Sequence, residues 1–205
     1  MDEPTNKKEA KTAAPKARKR KGVDKWKSKK WFNLLAPPLF NSTTLAHTPG
    51  EEPENVMNRI LSISAREMTG NIKKSQLMLK FKVNNVQGLN AYTQLYGMEV
   101  QPGSVRRLVR RKSSKVEHII DARCKDGQIA RIKTVAIISN PISAPKRSIV
   151  RQLLHEGIIS LAAGQDYESL LHQFISGDST AGILTNIRKI APIKRVDILK
   201  VTRIG

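Results

Sequence analysis

Two runs rich in β-branched and apolar residues, Val116 to Cys124 and Gln128 to Ser139, flank Lys125-Asp126-Gly127. No other stretch narrows the fold as far. An Asp-Gly pair accepts the positive φ of a tight turn, so the two runs are expected to pair as antiparallel strands. In the second run Ile132, Val135, Ala136, Ile137 and Ile138 occupy both faces of a strand, which predicts cover on both sides, one of them by a helix.

The neighbouring pattern extends that hairpin into a sheet. Arg59 to Ser64 and Leu77 to Val83 read as an antiparallel pair around a Thr69-Gly70-Asn71 turn, with Leu77, Leu79, Phe81 and Val83 on one face. Gly88 closes the second of these strands, and Ala91 to Val100 supplies a third. Upstream, Pro37-Pro38, Pro49-Gly50 and Pro53 punctuate Pro37 to Glu54 and predict an extended, irregular lead-in. Pro102-Gly103-Ser104 opens a short helix with Val105, Leu108 and Val109 on one face and Arg106, Arg107, Arg110, Arg111 and Lys112 around much of the rest. Five cations with no interleaved acid repel one another at helical spacing, so something anionic is expected against them, the alternative being a solvated basic face.

After Asn140-Pro141, Ser143 to Arg147 leads into a helix from Ser148 to Ala163, striped by Ile149, Val150, Leu153, Leu154, Ile158 and Leu161 and stopped at Gly164. Two more helices follow, Asp166 to Ser176 with an acidic cap and Ser179 to Ile190 closed by Pro192. Lys194 to Ile204 alternates again and returns to the sheet. Residues 26–205 therefore read as one α+β domain, an antiparallel sheet with helices to one side: sheet-rich over 56–139, helical over 146–190, with a returning strand at 194–204.

Residues 1–25 have almost nothing to bury and are expected to be a disordered basic arm, densest in charge at Lys16-Ala17-Arg18-Lys19-Arg20-Lys21. Such a cluster serves a nuclear import signal, a solvated tail or an arm along phosphates, and the whole-chain balance favours the last. With 37 Lys and Arg against 17 Asp and Glu, the net charge of +20 calls for a polyanion. Nucleic acid is the expected partner, because no long basic amphipathic helix with a bulky apolar face points to a membrane. The single cysteine, Cys124, precludes an intrachain disulfide, and the charged start lacks a signal peptide's apolar run. A cytoplasmic, reducing setting is expected.

Convergent chemistry is hard to find. His47, His118, His155 and His172 have no metal-ligand spacing, and His118 and Cys124 lie ~20 Å apart by strand rise. Gly177-Asp178-Ser179-Thr180-Ala181-Gly182 has the glycine spacing of a P-loop, yet Ile183-Leu184 replaces the Lys-Ser/Thr that neutralises phosphate and holds magnesium, so capping by Asp178 or Ser179 explains it better. Glu117 and Asp121, or Glu51 and Glu52, are expected to balance charge rather than to work as acid and base. No cofactor, metal or small-molecule substrate is expected.

Trp26 to Asn41 concentrates both tryptophans and two of the four phenylalanines among lysines. Such rings either stack on bases or anchor in the protein's own body. This segment resembles the "W…KKxW(Y/F)…AP…FN" run of an archaeal and eukaryotic small-subunit ribosomal protein family, S-three-a (S-three-Ae) in the older naming. Val86-Gln87-Gly88-Leu89-Asn90-Ala91-Tyr92-Thr93-Gln94-Leu95-Tyr96-Gly97-Met98 is similar to that family's "VQGxNxxTxxxGM", and Lys125-Asp126-Gly127 and Val150-Arg151-Gln152 match in family order. The resemblance implies an antiparallel barrel-like sheet with flanking helices. It also implies a place on the small-subunit platform near the mRNA exit, where the family contacts rRNA and neighbouring platform proteins, lies within reach of mRNA, and takes part in assembly and initiation.

The expected RNA contacts are Lys16, Arg18, Lys19, Arg20, Lys21 and Lys25 in the arm, and Lys27, Lys29 and Lys30 with Trp26 and Trp31. Arg106, Arg107, Arg110, Arg111, Lys112, Lys115, Lys146, Arg147 and Arg151 complete the set. An RNA-modifying or RNA-processing enzyme using the same basic surface is the alternative, and a nucleoid or chromatin protein a third.

Overall fold

The computed structural model describes residues 26–177 and 179–204, without side chains at 179–181. The predicted basic arm and the Asp178 or Ser179 cap lie outside the described residues. Eight strands form one sheet: β1 (Lys30–Leu35), β2 (Thr44–Gly50), β3 (Ile60–Ser64), β4 (Leu77–Gln87), β5 (Asn90–Val100), β6 (Ser114–Arg123), β7 (Ile129–Ile138) and β8 (Ile193–Ile204). Among the described residues five α-helices accompany them: α1 (Ala65–Thr69), α2 (Pro102–Leu108), α3 (Ala144–Ala163), α4 (Tyr167–Ser176) and α5 (Ser179–Arg188).

The Asp126-Gly127 hairpin is present, with Gly127 at φ 78° and an unbroken β6–β7 register from Ser114↔Ile138 to Arg123↔Ile129. β3 pairs with β4 as the alternation requires, and β8 returns between β5 and β7. β7 is buried without interruption from Thr134 to Ile138.

Two expectations about the sheet fail. It is mixed rather than antiparallel, because β1 runs parallel to β5 at Asn33↔Asn90, Leu34↔Ala91 and Leu35↔Tyr92. It is also open rather than barrel-like. β5 gives the start of one edge to β1 and the end of that edge to β8, at Gly97↔Thr202 through Glu99↔Lys200, so the sheet forks into two wings. Helices then cover the apolar face that a barrel closes by curling on itself. A third correction concerns Pro37 to Glu54, read as irregular, which contains all of β2. Pro49 is tolerated there because β2 is an edge strand paired only with β1.

The main core lies between the sheet and the helices. Val150, Leu154, Ile158 and Ala162 form the buried stripe of α3, while Ile149 of the predicted stripe is 44% exposed, a quarter turn away from the sheet. α3 begins at Ala144 rather than Ser148, because Pro145 fits a first turn that needs no backbone donor there. α5 ends at Arg188, two residues before the predicted Ile190. A smaller core of Phe32, Leu34, Val56, Val83 and Ala91 sits under β1.

Tyr167 ties the helices to the sheet. Its buried hydroxyl donates to the Tyr96 carbonyl at 2.6 Å, its backbone N–H donates to the Asp126 carboxylate at 3.3 Å, and burial pushes the phenol's pKa far up, so the donor stays protonated. Tyr167→Phe is expected to cost about 1–2 kcal/mol by leaving that carbonyl unpaired, seen as a lower urea midpoint at unchanged slope.

Candidate nucleic-acid interface

Eight of the expected cations lie toward one end of the β6 wing. Arg106 and Arg107 are exposed on α2, but the helix stops at Leu108, with Val109 extended at φ −86°, ψ 112°. Arg110, Arg111 and Lys112 therefore stand in a turn, Lys112 at φ 64°, rather than on the predicted helix. The stop spares Arg106 and Arg107 the stacked like charges that a further helical turn imposes. The Ile142 backbone N–H donates to Ser114 Oγ at 3.3 Å, which brings the start of α3, with exposed Lys146 and Arg147, beside this turn. Arg151 follows on α3, also exposed. Among the described residues none of these eight Arg and Lys side chains forms an ion pair.

Lys115 lies in a cleft of about 380 Å³ between α2 and the open sheet face, together with Arg106, Lys133, Lys200, Glu99 and Glu117. Lys133 and Lys200 face each other directly across β7 and β8, an unfavourable pairing for like charges. Two carboxylates relieve it: Glu117 pairs with Lys115 and with Lys133 at 3.5 Å, and Glu99 pairs with Lys80 and with Lys200 at 3.8 Å. The paired lysines hold both acids below the usual carboxylate range, against a smaller opposing push from burial. Spacing along the chain does not reveal Lys133 and Lys200, because only strand register brings them together.

These depressed carboxyls set a pH dependence. Their stabilising contribution is present above the unfolded value of 4.5 and is lost as pH falls through the lower folded values. Acid unfolding followed by circular dichroism is expected to begin below that value, and Glu117→Gln should remove part of the slope. A slope unchanged by the substitution would clear Glu117 of this role.

In the aromatic segment the lysine-rich turn precedes β1, with Lys27, Lys29 and Lys30 exposed and Lys29 Nζ 4.6 Å from the centre of the Trp26 ring. Of the two roles left open for the rings, burial in the protein's own body is not seen among the described residues: Trp26 is 60% and Trp31 58% exposed. Phe32 and Phe40 supply the buried aromatics instead. Lys16, Arg18, Lys19, Arg20, Lys21 and Lys25 lie outside the described residues.

Two histidines that read as scattered are neighbours, His118 Nε2 lying 3.5 Å from His155 Nδ1 under the Arg151 turn of α3. Burial first, then His155 and Arg151, hold His118 below the ordinary imidazole range. Burial and the carboxylates of Asp126 and Asp166 push the Cys124 thiol up, away from the reactive thiolate. Asp121 is engaged by Arg131 through two hydrogen bonds, at 2.8 and 2.9 Å. Among the described residues no three His, Cys, Asp or Glu side chains converge as a metal site, and no helix is long and apolar enough to cross a membrane.

Known proteins are similar to this chain over most of its length. The chain is 34% identical to the small ribosomal subunit protein eS1 of Desulfurococcus amylolyticus over 177 residues, covering 86% of this chain and 83% of that protein. It is 31% identical to eS1 of Methanothermobacter thermautotrophicus over 185 residues, 90% of this chain and 95% of that protein. With eS1 of Pyrobaculum aerophilum the identity is 33% over 178 residues, 87% of this chain and 80% of that protein. A family model, that of the Ribosomal S3Ae family, matches residues 17–204, and the chain belongs to that family.

Proposed function

We propose that this chain is a structural, non-enzymatic constituent of the small ribosomal subunit that binds small-subunit rRNA. On this proposal it sits on the platform near the mRNA exit, beside other platform proteins, and supports assembly and initiation. The observation that carries the proposal is the set of exposed cations from Arg106 to Lys112 and at Lys146 and Arg147, none of them neutralised by an acid among the described residues. Such a surface repels itself until a polyanion supplies the missing counter-charge. Family membership, and the name shared by relatives that span almost the same length, support the ribosomal setting. The platform position rests on the resemblance of Trp26 to Asn41 and Val86 to Met98.

The test is co-sedimentation of the full chain with small subunits stripped of their own copy, across a salt series. Stoichiometric binding that weakens steeply with salt is the expected result. Absence of binding at every ionic strength, with the chain folded, overturns the proposal.

A further inference from the structure

The outer face of the β1–β5 wing carries rings and amides, with carboxylates near its two ends, Glu51 accepting from Ser28 Oγ at 2.9 Å and Glu168 accepting from Gln94 at 3.0 Å. Trp31 and Asn33 alternate with buried Phe32 and Leu34, so their side chains point outward, and Tyr92, 42% exposed, points outward between buried Ala91 and Thr93. The register fixes these residues on one surface. Asn33 Nδ2 donates to Asn90 Oδ1 at 3.5 Å, and the His47 ring bonds Asn33 Oδ1 at 2.8 Å, which makes a hydrogen-bonded row across β2, β1 and β5 between the two rings. Trp31 and Tyr92 are four strand positions apart in that register, about 13 Å along the strands. Cations stand at both ends of the track, the exposed Lys27 and Lys29 in the turn that leads into Trp31, and Lys82 with Arg203 in a cleft of about 170 Å³ just beyond Tyr92.

We propose that this face is a stacking platform for single-stranded RNA, with unpaired bases laid on Trp31 and Tyr92 and the backbone held by the flanking cations. The proposal rests on the RNA-binding role above and specifies the form of RNA. Rings on an open sheet face offer area to base planes, which a duplex hides in its stack, whereas phosphate contacts alone do not distinguish strands from duplexes. The amides and the His47 ring between the two aromatics can meet exposed base edges. A neighbouring protein is the competing occupant, but two exposed rings with cations beyond each match the bases and phosphates of one strand together.

Trp26→Phe leaves Trp31 as the only tryptophan and makes its fluorescence a direct reporter. A short single-stranded oligoribonucleotide is expected to quench it, and a hairpin duplex of equal charge to do so far less at the same salt. In the otherwise natural chain, Trp31→Ala and Tyr92→Ala are each expected to weaken single-strand binding about tenfold, with duplex binding and Tm unchanged. Equal binding of both RNAs with no effect of either ring overturns the platform and leaves RNA binding standing. Loss of incorporation into subunits, with single-strand affinity unchanged, overturns it in favour of a protein neighbour. Failure to bind either RNA removes the RNA-binding role and this proposal together.

Discussion

Gly97→Ala is expected to lower the stability of the folded chain by about 3 kcal/mol, or Tm by roughly 6–12 °C, the upper end for overpacking. A methyl group at Gly97 lands on the backbone carbonyl oxygen of Val201, so no side-chain rotation relieves the clash. The strain falls where the two wings share their only direct strand pairing among the described residues, Gly97 to Glu99 against Lys200 to Thr202. Gly157→Ala is the fitting comparison. There the new methyl meets Ile183 side-chain atoms at 2.8 and 3.2 Å, which can shift, and helix propensity returns about 1 kcal/mol, so the net change should be small. Thermal unfolding of the two variants side by side decides the matter. Equal losses would mean that the β5–β8 joint is not a rigid point of the fold.

The second large effect concerns binding. Replacing Arg106, Arg107, Arg110 and Arg111 by glutamine is expected to leave Tm unchanged, since all four are exposed and none forms an ion pair among the described residues. If each meets a phosphate, the log–log dependence of RNA affinity on salt flattens by about 3, because every phosphate neutralised adds roughly 0.7–0.9 to that slope. Incorporation into small subunits should fall in parallel. A slope that stays as steep as in the natural chain assigns these arginines to a solvated face.

What the residues disclosed in advance tracks the distance over which each element finds its partner. The β6–β7 hairpin was legible because its turn chemistry and both its strands are contiguous. β1 was not, since its alternation amounts to Phe32 and Leu34 before Pro37-Pro38, and its parallel neighbour lies 57 residues away at the Asn33–Asn90 contact. The end of α2 was misplaced because Val109 has the right spacing for a helical stripe, whereas charge repulsion and an extended backbone stop the helix first. At the interface, the exposed arginines followed from composition. Lys133 and Lys200 did not, because a cleft is a property of register, and the His118–His155 contact joins residues 37 apart from a strand and a helix. The outward turn of Trp31 hinged on which of two adjacent aromatics entered the core, and Phe32 took that place.

The position of β8 has a consequence for biosynthesis. It lies between β5 and β7, yet it is the last of the eight strands to be translated. Until Ile193 to Ile204 has left the exit tunnel, the Gly97–Glu99 edge of β5 and the inner edge of β7 are unpaired ladders on a nascent polypeptide. Open edges of that kind recruit other strands, and such long-range pairing is slow to form. Exposure to aggregation is therefore concentrated in the interval before release of that strand, when a holdase chaperone has most to protect.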